Sequence, residues 1–416
     1  MDSVLLVRVT TPDREVADRI AEQLVNRRLC ASVHVCGPTD SSYWWNGALH
    51  HASEWTCEAR TRRECLAVVR AAILELHPYE VPEILESEVR AGTGAYARWL
   101  EEYADAELRL SPVIMGTWQA DSQYWFGVED RDLIAAVHAA LDAGITTFDT
   151  AEDYGNGHSE RVLGAALKGR RSRAVVCSKV FSNHLRADQV LEACHRALKN
   201  LGTDYIDLYQ VHWPAGSWGS EVVPIAETME ALSRLREQGK IRAIGVSNFD
   251  LAQLQEAWGC AEIFSLQPPY SLFWRHIDRE IRPWCEAHGV RILAYSPLGQ
   301  GILTGRYGPG HRFEDNRKDS ILFQSPHVER AHVALQELRG IADRLGLSLA
   351  QLAIAWVIAQ PLTHAVVGAR DAEQIRHTAT AASVTLSRAD LEQIEQIARQ
   401  VSDPLMGVAV PWTWQP

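Results

Sequence analysis

Four side chains in the middle of the chain could together protonate a carbonyl oxygen: Asp149, Tyr154, Lys179 and His212. A phenol with an ordinary pKa of about 10 can act as a general acid on such an oxygen, and a nearby ammonium is expected to lower that pKa toward the working range by stabilising phenolate. Asp149 is expected to hold Lys179 charged and in place. A neutral His212 can donate a hydrogen bond to the same oxygen and orient the substrate without adding net charge. This apparatus protonates a developing alkoxide, so something must deliver hydride to the carbon, and no side chain can do so. A nicotinamide cofactor is implied, with a small carbonyl compound as the substrate.

The elements that must position these groups repeat along the chain. Eight short apolar runs can be counted: 112–118, 145–151, 174–180, 205–213, 241–248, 263–270, 290–297 and 364–370. Intervening stretches such as DRDLIAAVHAALDAG, ADQVLEACHRALKNLG and PIAETMEALSRLREQGK carry apolar residues at helical spacing and end near Gly, a usual C-terminal stop. Eight βα repeats in roughly 300 residues predict a TIM (β/α)8 barrel, with a doubly wound open sheet as the alternative. In such a barrel the catalytic groups come from the C-terminal strand ends and the loops that follow. Asp149 closes the second run, Lys179 the third and His212 the fourth. Ser247 and Asn248 close the fifth, Gln267 the sixth, and Tyr295 and Ser296 the seventh, with Tyr154 in the loop after the second. Each alone is weak, since a strand-end Lys is otherwise a surface residue and a single His on an apolar strand is more often a hydrogen-bonded core residue. Their coincidence at one barrel mouth argues for a site. Gly155-Asn156-Gly157 and Gly299-Gln300-Gly301 do not complete a GxGxxG turn between a strand and a helix, and are read as barrel loops.

Composition narrows the function classes. The 416 residues are 46% hydrophobic and 23% charged, with 41 Lys+Arg against 53 Asp+Glu and a formal charge of −12. That balance is ordinary for a globular protein and argues against a nucleic-acid partner, because duplex affinity is supplied largely by clustered Lys and Arg. No apolar run approaches the roughly 18 to 20 residues of a membrane span, and the opening MDSVLLVRVTT lacks a basic region before its short hydrophobic stretch. No membrane partner and a cytoplasmic location are therefore expected. Eight Cys without a CxxC pair predict reduced thiols.

Residues 1–107 differ from the rest, with 11 Arg, no Lys and 18 Asp+Glu. Their pattern reads strand (4–11), helix opened by Thr11-Pro12-Asp13 with Thr11 as N-cap, strand (30–35), a turn at 43–47, strand (48–61), helix (62–76) and strand (81–89). That order predicts an α+β domain, ferredoxin-like in outline. A polar joint at 104–111 separates it from a second domain at 112–416. His34 and Cys36, two apart on a strand, and the nearby His50, His51 and Cys57 lack CxxC or HxxxH spacing; they are read as structural or surface residues, and no metal site is assigned. The Tyr43-Trp44-Trp45 cluster suits subunit packing.

Residues 4 to about 103 resemble the CutA divalent-cation-tolerance family, through TTPDREVADRIAEQLVNRRLCASVHV, SSYWWNG, HPYEVPEI (77–84) and GAYARWL (94–100). The resemblance implies a ferredoxin-like domain that forms a trimer. Ser32 stands where the family usually has a Cys. Residues 112 to about 400 resemble the aldo/keto reductases: GTWQ (116–119), DAGITTFDTAEDYGNGHSE (142–160), CSKV (177–180), LGTDYIDLYQVHWP (201–214), GKIRAIGVSNF (239–249) and AYSPLGQGILTGRY (294–307). That resemblance implies that Asp149, Tyr154, Lys179 and His212 form the catalytic tetrad. It also implies cofactor contacts from Gly116, Thr117 and Trp118; from Ser247, Asn248 and Gln267 to the carboxamide; and from Tyr295 stacked on the nicotinamide. Ser296, Leu298, Gly299, Gly301, Leu303 and Thr304 would wrap the pyrophosphate. Gly368, Arg370 and Gln374 would lie at the adenosine end, where an Arg suits a 2′-phosphate, so NADPH is expected rather than NADH. Thr378 stands where the family usually has Asn. Two rival readings are a Schiff-base lyase using Lys179 and a nucleotide-binding sensor with little turnover. Substrate choice is expected to lie with the loops 119–128, 214–223 and 307–324.

Overall fold

The computed structural model describes residues 3–104, 108–121 and 128–413. Part of the joint expected at 104–111 and most of the loop expected at 119–128 lie outside the described residues. The chain divides into two compact units, one formed by Met1–Leu108 with Gly169–Arg173 and the other by Arg109–Lys168 with Ala174–Pro416.

The first unit comprises β1 (Ser3–Thr11), α1 (Arg14–Asn26), β2 (Ser32–Trp45), β3 (Ala48–Thr61), α2 (Leu66–Leu76), β4 (Ile84–Arg90) and α3 (Gly94–Tyr103). The sheet runs β2-β3-β1-β4, every neighbour antiparallel, which is the ferredoxin-like arrangement. On β1 the alternate residues Leu5, Val7 and Val9 are buried, and α1 and α2 bury Ile20, Leu24, Val69 and Ile73. Several expected boundaries move. The cap of α1 is Asp13, whose carboxylate accepts from the N–H of Val16, while the Thr11 hydroxyl donates to the carbonyls of Asp13 and Trp55. β2 runs on through Tyr43-Trp44-Trp45, so the turn is Asn46-Gly47 alone, both with positive φ, as a two-residue hairpin loop requires. A short 3-10 turn at Arg63–Cys65 precedes α2. α3 had no counterpart in the sequence reading; it is capped by the Thr93 hydroxyl, which accepts from Tyr96 N–H.

The second unit is a closed barrel of eight parallel strands: β5 (Val113–Gly116), β6 (Thr147–Asp149), β7 (Val175–Val180), β8 (Ile206–Val211), β9 (Ile241–Ser247), β10 (Ser265–Gln267), β11 (Arg291–Tyr295) and β12 (Thr363–Gly368). Each lies within or within one residue of an apolar run of the sequence. The helices are α4 (Asp130–Asp142), α5 (His158–Ala166), α6 (Ala187–Leu201), α7 (Ile225–Glu237), α8 (Leu251–Cys260), α9 (Ile281–His288), α10 (His327–Leu345), α11 (Leu349–Ile358), α12 (Ala372–Ala379) and α13 (Arg388–Ser402). The register β12-β5 (Gly368 opposite Gly116) and β11-β12 (Tyr295 opposite Val366) closes the ring. The open-sheet alternative is thereby excluded. Strands this short, joined in parallel, place all C-terminal ends at one mouth. Among the described residues no single helix is long and apolar enough to cross a membrane.

Candidate active site

Burying an ammonium is costly unless a counter-charge and further acceptors meet it. Lys179, at the end of β7, is 0% exposed, and Asp149, at the end of β6, is 2% exposed. The Lys179 Nζ donates to Asp149 Oδ1 at 2.6 Å, to the Thr150 carbonyl at 2.9 Å and to the Tyr154 phenol oxygen at 3.3 Å. The other carboxylate oxygen of Asp149 accepts from Gln267 Nε2 at 2.9 Å and from Gln210 Nε2 at 3.5 Å. Both lone charges are thus fully engaged inside the barrel. Gln210 was not singled out in the sequence; it lies two residues before His212 on β8, and the strand period of two is the signal that could have found it.

Tyr154 lies in the loop after β6. Its ring meets the imidazole of His212 edge-on at 5.6 Å between centroids and faces Trp118 at 6.3 Å. The four groups expected to form the tetrad therefore come together at the mouth. His212 Nδ1 is buried without a hydrogen-bond partner. The desolvation of His212, with the Lys179 ammonium second, pushes it well below its ordinary pKa of 6.5, so the ring is neutral. Burial would lower Lys179, but Asp149 and Tyr154 oppose it and the net direction is upward. For Tyr154 the expected direction is reversed. Burial outweighs the stabilisation of phenolate by Lys179, and the phenol rises above 10.0. At neutral pH it is a fully protonated donor rather than an acid poised near its pKa.

The strand ends expected at the nicotinamide are linked to one another. Ser247 Oγ donates to the Gln267 carbonyl at 2.7 Å, Asn248 Nδ2 to the His212 carbonyl at 3.0 Å and to Ser247 Oγ at 3.0 Å, and Tyr295 Oη to Asn248 Oδ1 at 3.0 Å. Asn248 and Ser296 have φ of 61° and 53°, a left-handed conformation that other L-residues avoid. Thr117 is turned inward: its N–H and hydroxyl both donate to the Asp149 carbonyl, at 2.9 and 3.0 Å. Gly116 packs under Val366, and Gly368 packs against the Gln119 carboxamide.

After β11 the chain makes a tight 3-10 loop, Gly299–Thr304. Gly301 has φ +105°, and a Cβ there would stand 3.1 Å from the ring of Tyr307, so only glycine fits. Leu303 is buried beneath the loop, Leu298 is partly buried, and the Thr304 hydroxyl donates to the Gly301 carbonyl at 2.6 Å. Gln300 Oε1 is buried without a partner beside a recess of about 10 Å³, the room of one water, which Ser271, Ser296 and Ser320 also line. At the head of α12 the Arg370 N–H donates to Gln374 Oε1 at 2.9 Å, and the Gln374 N–H to Asp371 Oδ1 at 2.8 Å. On this unit the glycine-permitted loop after Tyr295 and the Arg370 guanidinium ahead of α12 are of the kinds that suit a dinucleotide's phosphates, the first by close backbone approach and the second by charge. Among the described residues no group of three His, Cys, Asp or Glu could hold a metal ion.

A closed β/α barrel that gathers a phenol, a buried ammonium and a neutral imidazole at its mouth has the construction of a barrel oxidoreductase. Residues 112–399 match the aldo/keto reductase family, and the chain belongs to that family. Residues 5–103 match the CutA1 divalent ion tolerance protein. Aldo-keto reductase YhdN of Bacillus subtilis is 36% identical over 317 residues, covering 73% of this chain and 94% of the relative. Among solved structures, the glycerol dehydrogenase from Gluconobacter oxydans is 32% identical with a TM-score of 0.65, covering 74% of this chain and 95% of that one. An aldo-keto reductase from Klebsiella pneumoniae, solved in complex with NADPH, is 32% identical with a TM-score of 0.58, covering 70% and 91%.

Proposed function

We propose that the barrel is an NADPH-dependent carbonyl reductase in which Tyr154 is the general acid. The observation that carries this reading is the buried chain from Asp149 through Lys179 to the Tyr154 phenol, with His212 beside it. Bound NADPH supplies the hydride. The Tyr154 phenol gives its proton to the carbonyl oxygen as negative charge develops there, and Lys179 stabilises the phenolate left behind. Asp149 keeps Lys179 charged and anchored. His212, neutral at working pH, orients the carbonyl through a hydrogen bond without stabilising a competing anion. Ser247, Asn248 and Gln267 position the carboxamide, Tyr295 supports the ring, the 296–304 loop holds the phosphates, and Arg370 with Gln374 binds the adenosine end. The presence of NADPH in the Klebsiella relative supports the cofactor choice.

The test is consumption of NADPH, followed by nicotinamide absorbance, with aldehydes and ketones. Tyr154→Phe should lower kcat roughly a hundred- to ten-thousandfold while leaving NADPH binding intact. Unchanged turnover in that variant refutes the assignment.

We further propose that the first unit assembles the protein as a homotrimer. Among the described residues its edge strands β2 and β4 each pair on one side only. Trp44 is 72% exposed, and Trp45, Leu49, Leu85 and Val89 are also exposed, an apolar surface suited to contact between copies.

A further inference from the structure

Tyr154 is carried by a loop rather than a strand, so its distance from Lys179 is only as fixed as that loop. Residues 150–157 connect β6 to α5, and Gly155, Asn156 and Gly157 in turn have φ of 60°, 51° and 76°, a run of left-handed residues that folds the chain back after Tyr154. The fold-back closes on Glu152, whose carbonyl accepts from the Gly157 N–H at 2.7 Å. On the other side the Glu152 N–H donates to the Lys179 carbonyl at 3.3 Å. The phenol therefore stands two residues from a point that touches the strand end bearing the ammonium.

The side chain of Glu152 makes that touch a grip. It is 10% exposed, and a carboxylate so withdrawn is costly unless donors meet its oxygens. Oε1 accepts from the Phe181 N–H at 2.8 Å and lies 2.9 Å from His184 Nδ1, while Oε2 accepts from Arg196 Nη2 at 3.0 Å. Main chain and side chain together thus hold the end of β7 on both sides of Val180, at the Lys179 carbonyl and at the Phe181 N–H. Two further contacts carry this hold to His212: its N–H donates to the Val180 carbonyl at 2.9 Å, and its imidazole meets the Phe181 ring edge-on at 5.5 Å. The His184 and Arg196 side chains are 35% and 47% exposed, so their charges are screened and the inward bond to Phe181 is the one that fixes geometry.

We infer that Glu152 is a positioning residue for the reduction: by reaching the Phe181 N–H it fixes the Tyr154 phenol at hydrogen-bonding distance from the Lys179 ammonium. The inference rests on the carbonyl-reductase reading. Glu152 neither gives nor takes the transferred proton; it acts through the loop and the strand end that it joins. Reach is the property that matters, because a proton donor displaced by about 1 Å can lose on the order of a hundredfold in rate.

The experiment separates reach from charge on the full chain, with NADPH and the aldehyde that the wild type reduces fastest. Glu152→Gln keeps the length and an acceptor oxygen for the Phe181 N–H; Glu152→Asp keeps the charge and is one methylene short. Glu152→Asp should lower kcat roughly thirtyfold, leave KM and the NADPH dissociation constant within about twofold, and raise the solvent isotope effect on kcat as proton transfer slows. Glu152→Gln should keep kcat within about threefold. NADPH binding, followed by fluorescence, reports whether each variant is folded. Should Glu152→Asp fail to fold, Glu152→Ala takes its place, since it removes the acceptor without leaving a shortened charge under the loop. An unchanged kcat in the shortened variant, equal losses in Glu152→Gln and Glu152→Asp, or a loss that falls on KM or NADPH binding instead of kcat overturns the inference and leaves the reductase reading intact. A wild type that binds NADPH and reduces no aldehyde overturns the reductase reading and this inference with it.

Discussion

The ammonium of Lys179 meets the carboxylate of Asp149 at 2.6 Å with both side chains almost wholly withdrawn from water. Such a pair is worth little against an apolar replacement of the same volume, but removing one partner strands the other. Asp149→Asn is therefore expected to cost about 3–5 kcal/mol of stability as well as most of the activity. Asp149→Asn with Lys179→Met should recover part of the stability and none of the activity. Denaturant midpoints and kcat, measured on the wild type and both variants, separate the two effects. Equal stability of the single and double variants would show that the pair does not carry this strain.

The pH behaviour follows from the directions of the shifts. Tyr154 is raised, and Tyr209, Tyr270 and Tyr295 are raised well above 10.0, burial being the first cause in each. The unfolded chain releases these protons at about pH 10 while the folded one retains them, so stability is complete below about pH 10 and is lost as pH rises further. His212, His276 (pushed down to about 4) and His364 are lowered by burial. The unfolded chain takes up these protons below about pH 6.5 and the folded one does not, so their contribution is present above that pH and lost as pH falls. Urea midpoints at pH 5, 8 and 11 should be highest at pH 8. Reduction by the folded enzyme should show no break between roughly pH 6 and 9, because Tyr154 stays protonated and His212 neutral. A kcat that falls through a pKa near 6.5 would contradict the neutral His212.

Much of this was legible in advance because the groups differ in kind. Asp149, Lys179 and His212 at the ends of three apolar runs, and Tyr154 in the loop after the first of these, have no common structural reason to be there, and the barrel brings them together. What escaped the sequence depends on burial and on distant approach. The depth at which Tyr154 sits decides that desolvation outweighs Lys179, and spacing carries no measure of depth. Trp412 comes to 6.4 Å from the ring of Tyr295 where 411–413 pair with 319–321, nearly a hundred residues apart, with no local signal. α3 was missed because it buries only Ala97 and Leu100 and leaves Tyr96, Trp99 and Tyr103 exposed, so its apolar face is weakly written.

The proposed role of Arg370 separates the two nicotinamide nucleotides. A guanidinium binds a 2′-phosphate through charge-assisted hydrogen bonds that a 2′-hydroxyl cannot return. Arg370→Ala should weaken NADPH binding about tenfold and leave NADH binding within about twofold. Fluorescence titration of both nucleotides checks this. Parallel losses for the two would place Arg370 outside the 2′-phosphate site.

The proposed trimer is tested by the mass of the full chain in solution. Among the described residues β4 forms one edge of the sheet with no strand on its outer side, and it exposes Leu85 and Val89. A Lys on such an edge opposes strand addition and apolar contact alike. Val89→Lys should shift light scattering from three chains toward one. Because Val89 belongs to the first unit and the reacting groups to the second, kcat/KM for an aldehyde should change by less than about twofold if assembly and chemistry are independent. A larger fall accompanying dissociation would mean that assembly supports the barrel. A wild-type chain already monomeric at micromolar concentration would remove the proposal.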